Sequence, residues 1–260
     1  MKQLFVLTSA FFASCILALT TFAGPEPLPS GKEMKEVAPV PPPCNWQGFY
    51  VGINAGGQFG HSENTDLDGY NSFDVNSWGY SESGFIGGGQ VGYNYQWRWL
   101  VVGPEFDAGY MNLHGSGTQP AAPEGDTHGE SDSDFFTTFR GRIGISICPQ
   151  SPWLIYATGG AIGIHYTTRV IDDIADSDPT NALLDGRTTD FDWGYTVGGG
   201  IEKMLGCHWS IKLEYLYYSI DDQSFTGHGA GVFNHTGPFT SDFSGETTGH
   251  IVRAGLNFRF

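Results

Sequence analysis

The chain has 260 residues, with 28 Asp and Glu against 12 Lys and Arg, which gives a formal net charge of −16 and a pI near 4.6. This balance excludes a typical nucleic-acid-binding protein, because a polyanion is held by Lys and Arg. Glycine accounts for 38 residues, about twice its usual share, and aromatic residues make up 15% of the chain, so the composition favours an all-β protein.

The first 45 residues divide into an export signal and a spacer. Residues 1–23 combine Lys2, an apolar stretch over 4–19 and a small residue at Ala23, a pattern typical of a cleaved signal peptide. Residues 24–45 hold seven of the 14 prolines. Because proline fixes φ and removes a hydrogen-bond donor, we predict a Pro-rich periplasmic spacer there. No later run approaches the roughly 18 apolar residues of a membrane helix.

From Trp46 onward, apolar and polar residues alternate with period two. In the last segment Val252, Ala254 and Leu256 share one face, and Arg253 and Asn257 share the other. Such alternation predicts β-strands, and segments of about 9–11 residues match the tilted strands of a transmembrane barrel. The eight predicted segments are 46–58, 83–95, 98–110, 135–148, 153–165, 191–204, 209–219 and 247–260.

The connections between these segments alternate in length. Short turns are predicted at 96–97, 148–152 and 205–207, and long connections at 59–82, 111–134, 166–190 and 220–246. Short turns at one rim and long loops at the other are typical of outer-membrane barrels, with the short turns periplasmic. A soluble β-sandwich explains this rhythm and the aromatic strand ends less well. We therefore predict an all-β protein, with an eight-stranded antiparallel up-and-down transmembrane β-barrel over 46–260.

Eight charged residues fall on the strand phase that faces away from lipid. Four are acidic and four are basic, and an eight-stranded barrel has an interior just wide enough for side chains to fill. Because unpaired charges there would be costly to desolvate, we predict a plugged, salt-bridged lumen that stabilises the barrel. The predicted network is Glu105, Asp107, Arg140, Arg142, Glu202, Lys212, Glu214 and Arg253.

Most of the remaining acidic residues gather in the predicted long connections, which hold 21 of the 28 Asp and Glu when Asp192 at the border of the third is included. These connections lie on the extracellular side of the predicted barrel. We therefore predict acidic extracellular loops that contact surface partners, and weak binding of divalent cations that bridge to lipopolysaccharide is a further hypothesis.

Three cysteines follow the signal peptide, an odd number for an oxidising compartment. Cys148 and Cys207 both fall in predicted short turns at the periplasmic rim. We therefore predict a disulfide between Cys148 and Cys207, with Cys44 in the spacer left to compete with this pair or to stay free.

Five segments carry a resemblance to a known family. They are 46–57 (WQGFYVGINAGG), 87–96 (GGGQVGYNYQ), 156–160 (YATGG), 212–218 (KLEYLYY) and 252–260 (VRAGLNFRF). Together they resemble the small porin-family, or outer-membrane immunogenic, β-barrel proteins of Gram-negative bacteria. The resemblance implies an eight-stranded outer-membrane barrel that the barrel assembly machinery recognises through its C-terminal strand, with Phe260 as the terminal aromatic signal. It implies no catalytic residues.

The sequence shows no Ser-His-Asp set or carboxylate pair placed for catalysis. Its loop histidines and glycine runs lack the context of a metal or phosphate site, so we predict no enzyme activity, no cofactor and no metal. We predict a structural and surface-interaction role at the cell outer membrane, in contact with lipid, lipopolysaccharide and a surface protein ligand. The alternative is a narrow porin that passes small solutes.

Overall fold

The chain folds into an eight-stranded barrel. The computed structural model describes residues 44–68, 76–118, 127–147, 152–173, 182–229 and 239–260, so the predicted signal peptide and nearly all of the predicted spacer lie outside the described residues. Within the described part, no helix is long and apolar enough to cross a membrane. The strands are β1 (Gly48–Asp66), β2 (Asn76–Trp97), β3 (Leu100–Thr118), β4 (Thr127–Ile147), β5 (Trp153–Asp173), β6 (Ala182–Met204), β7 (Trp209–Gly229) and β8 (Phe239–Arg259).

Each strand pairs antiparallel with its neighbour in the chain, and β8 closes the ring by pairing with β1. Ile53 of β1, for example, lies opposite Gly89 of β2 and opposite Leu256 of β8. This up-and-down order confirms the predicted fold class. Closure leaves no strand edge open, so the backbone groups can be paired between strands, as a lipid environment requires.

Side chains alternate between the outer face and the lumen. On β1, Phe49, Ile53 and Phe59 are exposed, whereas Tyr50 and Asn54 are buried inside. Exposed aromatic residues form a lower belt near the short turns (Phe49, Trp97, Trp99, Trp209 and Phe260) and an upper belt (Phe59, Phe85, Tyr110, Phe135, Trp193 and Tyr215). Such girdles mark the two membrane interfaces. The membrane-spanning segments between them are 49–59, 85–97, 100–110, 135–147, 153–163, 193–204, 209–217 and 252–260.

The strands are about twice as long as predicted. They have 19 to 23 residues where the alternation of apolar residues predicts about 9–11, so the described parts of the four predicted long connections are mostly strand. The extensions are rich in Ser, Thr, Gly and Asp, which pair through their backbones above the membrane. Because no lipid faces them there, they need no apolar outer face, and the sequence pattern carries no signal for them.

Of the predicted short turns at the opposite rim, the one at 205–207 is confirmed, the one at 96–97 lies two residues too early, and most of the one at 148–152 lies outside the described residues. Residues 98–99 join β2 to β3, with Arg98 in a left-handed conformation at φ 58°. Residues 205–208 join β6 to β7, and Gly206 adopts φ 134° there, a conformation that side chains other than glycine rarely adopt.

The predicted disulfide is wrong. Cys207 is bonded to Cys44, with 5.0 Å between their Cα atoms, and Cys148 lies outside the described residues. The physical reason is Trp46, which is completely buried in the periplasmic mouth of the lumen against Leu154 and Met204. The same cluster packs against Cys44 and so brings it beside the 205–208 turn. Cys44 and Trp46 therefore pack against the barrel rather than belonging to a free spacer.

Peptide mapping under non-reducing conditions tests this pairing. We expect a linked peptide that contains Cys44 and Cys207, which reduction separates. The Cys44→Ser variant is the control, because it should remove that linked peptide without unfolding the barrel. A linked Cys148–Cys207 peptide in the unsubstituted protein would contradict the assignment.

Candidate functional site

The lumen brings together all eight charged residues of the predicted network. Alternation along the strands points Glu105 and Asp107 of β3 inward, and it does the same for their partners on β4, β6, β7 and β8. Each of the eight residues is no more than 4% exposed. Four positive and four negative groups therefore balance within this network, and Arg259 is a further buried cation at the periplasmic end of the same interior.

Arg140 lies at the centre of this network. Its Nη2 is 2.6 Å from Oε1 of Glu105 and 2.6 Å from Oδ2 of Asp107, and its Nη1 is 3.2 Å from Oε1 of Glu214. One guanidinium thus joins carboxylates from β3 and β7 across the barrel. Charge-assisted hydrogen bonds of this kind are about twice as strong as neutral ones.

Two further cations complete the central group. Arg253 of β8 places Nη2 2.6 Å from Oε2 of Glu214 and 3.0 Å from Oδ1 of Asp107. Lys212 of β7 places Nζ 3.1 Å from Oε1 of Glu105 and 3.8 Å from Oε1 of Glu214. Glu105, Asp107 and Glu214 are therefore each contacted by more than one cation.

Arg142 links the network to a second acidic group nearer the periplasm. Its Nη1 lies 3.5 Å from Oε2 of Glu105 and 3.3 Å from Oε2 of Glu202. Its guanidinium also lies between two aromatic rings, 4.7 Å from the centroid of Tyr50 and 5.3 Å from that of Tyr156. Such cation–π contacts are strongest where the cation is desolvated.

Neutral lumen residues that the sequence prediction did not include complete the hydrogen bonding. The Tyr50 hydroxyl donates to Glu105 at 2.7 Å, and the Tyr156 hydroxyl donates to Glu214 at 2.9 Å. The Thr138 hydroxyl donates to Asp107 at 2.6 Å. All three lie on the inward strand phase, so the alternation contained the signal that could have found them.

Inward glycines make room for these tyrosines. A Cβ at Gly92 would overlap the Tyr50 hydroxyl, and a Cβ at Gly200 would lie 2.7 Å from the Tyr156 hydroxyl. The missing side chains thus let two large rings cross a narrow lumen. Close packing of this kind requires glycine at both positions.

The charged network lies between two apolar layers. Toward the periplasm, Trp46, Val101, Leu154, Tyr156 and Met204 form one buried cluster. Toward the cell exterior, a larger cluster includes Ile86, Met111, Phe136, Leu216 and Ile251. Four of these residues, on β3, β4, β7 and β8, lie on the extracellular side of a network residue of the same strand. Met111, for example, lies on the extracellular side of Asp107. The interior is therefore filled above and below the charges.

A buried carboxylate, that of Glu82, lies above the larger cluster and the upper belt. Glu82 of β2 is 2% exposed and accepts a hydrogen bond from the Ser62 hydroxyl at 2.8 Å. Among the described residues no Lys, Arg or His forms an ion pair with it. Burial raises the pKa of Glu82 to about 7, and the hydroxyls of Ser62 and Ser131 oppose that rise. The sequence placed Glu82 in a solvated loop, whereas the structure places it inside the barrel.

Known proteins carry the same domain. The model of the family described as outer membrane protein beta-barrel domain matches residues 38–260. The chain belongs to this outer-membrane β-barrel family. It is 31% identical over 234 residues to the 31 kDa outer-membrane immunogenic protein of Brucella melitensis, an alignment that covers 83% of this chain and 84% of the relative. It is also 31% identical over 199 residues to the 22 kDa outer membrane protein of Rhizobium leguminosarum, covering 73% and 74%.

A solved structure shares the fold. The outer membrane protein OprG from Pseudomonas aeruginosa matches with a TM-score of 0.50 and 14% identity, over 84% of this chain and 99% of that one. Because it belongs to this family, the chain lies in the cell outer membrane, in contact with phospholipid and lipopolysaccharide. Family membership by itself identifies no partner or ligand.

Phe260 directly follows β8 at the lower belt. Its backbone N–H donates to the carbonyl oxygen of Phe49 at 3.1 Å, and its ring packs edge-on against Phe258, with 5.3 Å between centroids. The side chain is 74% exposed on the outer face. Its role as the assembly signal stays a prediction.

Exposed acidic side chains lie on the outer surface of the barrel above the membrane. Those exposed on strand extensions are Glu63, Glu130, Asp132, Asp134, Asp190, Asp242 and Glu246. Glu63 lies directly opposite Glu246 across the β1–β8 pair, and like charges placed so are destabilising. Within the described residues, no three His, Cys, Asp or Glu side chains converge as metal ligands. The predicted acidic loops are thus in large part an acidic strand surface.

Proposed function

We propose that this outer-membrane barrel is a closed envelope protein whose acidic surface above the membrane contacts cationic partners. The observation that carries the proposal is the filling of the lumen. The cluster around Trp46, the charged network and the cluster around Phe136 follow one another along the barrel. A further cluster of Trp78, Tyr80, Val170 and Phe243 lies beyond them toward the exterior. A solute would have to displace buried side chains at every level.

Ion pairing supports a structural role for the charges. An open pore leaves its charged groups in water, whereas the carboxylates here are engaged by guanidinium and ammonium groups at 2.6–3.8 Å. Breaking those pairs to admit an ion would leave uncompensated buried charges, each costing several kcal/mol, on the order of 3–5. The same engagement leaves these carboxylates no free role as catalytic acids or bases, so the proposal includes no enzyme activity.

The acidic surface supports the interaction part of the proposal. Glu63 and Glu246 repel each other on the outer face, so a cation placed between them gains energy from both. A basic segment of a surface protein, or a divalent cation shared with a lipopolysaccharide phosphate, provides that charge. These are the partners that the exposed carboxylates favour.

Planar-bilayer recording tests the closed lumen against the narrow porin. We expect the unsubstituted protein to show no stepwise conductance. A variant hollowed at the larger apolar cluster, with Met111→Ala, Leu216→Ala and Ile251→Ala together, is the matched control and should show at least intermittent steps. Reproducible steps in the unsubstituted protein that bulkier inward side chains abolish would overturn the proposal in favour of the porin.

A further inference from the structure

A groove crosses the lipid-facing surface of the barrel where β1, β8, β7 and β6 lie side by side. Its volume is about 610 Å³ and its lining is almost entirely apolar. We propose that it binds one anionic phospholipid of the periplasmic leaflet, with an acyl chain in the groove and the headgroup phosphate on Lys203. This binding site goes beyond the proposed function, because neither a closed lumen nor an acidic surface requires it.

Small residues form the floor of the groove. Ala55 of β1 lies directly opposite Ala254 of β8, and Ala254 lies opposite Leu213 of β7. Ile53 and Leu256, the next outward pair toward the periplasm, form the wall. A depression between larger side chains fits a linear hydrocarbon chain, and each CH₂ group buried there contributes about 0.8 kcal/mol of transfer free energy.

The periplasmic end of the groove carries a positive charge. At the level of the lower aromatic belt, Lys203 is the only outward Asp, Glu, Lys, Arg or His of the described strands. Its Nζ lies 4.9 Å from the centroid of the Trp153 ring, and both residues line the groove. No described carboxylate forms an ion pair with it. A half-buried ammonium at a lipid surface therefore remains available for an anion.

The position of Lys203 fits a phosphate of the periplasmic leaflet. It lies opposite Ile211 of β7 and Trp153 of β5, at the level of the lower aromatic belt. A lipid whose phosphate sits on Lys203 runs its acyl chain past Ile211 and Leu213 toward Ala254. Because a zwitterionic headgroup brings its own cation to compete with Lys203, we expect net anionic headgroups to be preferred. The cation–π contact with Trp153 orients the ammonium toward the interface.

A second copy of the chain suits this groove less well than a lipid does. A symmetric contact between two copies would have to bury the ammonium of Lys203 in an apolar interface, which is costly without a paired anion. A phospholipid supplies both the apolar chain and the anion. The occupant is therefore assigned as lipid, and self-association becomes an outcome of the test.

Native mass spectrometry of the full-length exported chain in detergent tests the site. Phosphatidylglycerol and phosphatidylcholine with identical acyl chains are titrated, and retained lipid is counted. We expect tighter retention of phosphatidylglycerol, weakened about five-fold by Lys203→Gln, the effect of one basic group near an anionic headgroup. Arg98→Gln is the matched control, because Arg98 is also basic and exposed at this rim but lies in the β2–β3 turn, away from the groove.

A second pair of variants tests the groove itself. Ala254→Leu fills the floor and should lower the retention of both lipids, whereas Ala108→Leu on the outer face of β3 should leave both unchanged. The mobility of unheated samples in gel electrophoresis shows that each variant is folded. Equal losses in Lys203→Gln and Arg98→Gln, equal retention of the two lipids, or dimers that Ala254→Leu dissociates would each overturn the assignment.

Discussion

Replacing Arg140 with Gln lowers the free energy of unfolding of the barrel by about 3–5 kcal/mol, the usual cost of removing one partner from a buried ion pair. Arg140 contacts Glu105, Asp107 and Glu214, all within 3.2 Å. Gln is neutral and shorter, so it leaves negative charge without its central cation. Urea titration in detergent micelles, followed by tryptophan fluorescence and gel mobility, measures the loss.

Two variants show whether this loss comes from charge. Arg98→Gln removes a positive charge from an exposed turn and should change stability by less than about 0.5 kcal/mol. Adding Asp107→Asn to Arg140→Gln removes one of the uncompensated carboxylates and should recover part of the loss, because residues in one network are energetically coupled. A loss below about 1 kcal/mol in Arg140→Gln, or no coupling between the two substitutions, would contradict a network that stabilises the fold.

Replacing Glu82 with Gln makes the barrel more stable at pH 8 and leaves its stability nearly unchanged at pH 4. The folded pKa of Glu82 is raised from 4.5 to about 7, so the folded state binds this proton more tightly than the unfolded state does. Stability from this group is therefore highest below pH 4.5, falls as the pH rises to about 7, and is constant above that. The shift corresponds to about 3 kcal/mol, which the variant recovers at high pH.

The groups around Glu82 define the controls. Its lumen neighbours are the hydroxyls of Ser62, Ser131 and Tyr218, and Asp132 is the nearby charge that also raises its pKa. Glu130→Gln, at an exposed position of β4 opposite Arg169, is the matched control and should gain no stability as the pH rises from 4.5 to 7. Urea unfolding across that range gives the difference between each variant and the unsubstituted protein. A difference for Glu82→Gln that does not depend on pH would contradict a buried, unpaired carboxylate.

The two carboxylates illustrate how far sequence patterns reach. Glu105 lies in a stretch where apolar residues alternate, so its inward orientation was predictable from the residues within two positions of it. Because a carboxylate inside the lumen needs a counter-charge, its need for a cation was predictable as well. Glu82 lies in a Ser- and Gly-rich stretch without apolar alternation. Its burial depends on the register that pairs Gly60 with Glu82 and extends β2 above the membrane. Nothing local in the sequence encodes that register.

The cysteines show the same limit over a longer distance. Cys148 and Cys207 share a short-turn context, which made them the plausible pair. The actual partner of Cys207 is set by Trp46, whose ring fills the lumen mouth and lies 4.8 Å from the Arg259 guanidinium at the other end of the chain. A contact between residues 46 and 259 exists only after β1 and β8 have closed the ring.

The sequence by itself determined the membrane-spanning part of this protein: eight strands, the inward and outward phase of each, the turn between β6 and β7, and the eight charges of the central lumen network. These follow from period-two alternation, because lipid on one side and a narrow interior on the other act on every residue in turn. Only the tertiary structure decided the height of the strands above the membrane, the pairing of Cys44, the burial of Glu82 and the groove beside Lys203. Each of these depends on closure and register, which join residues far apart in the chain and leave no local periodicity.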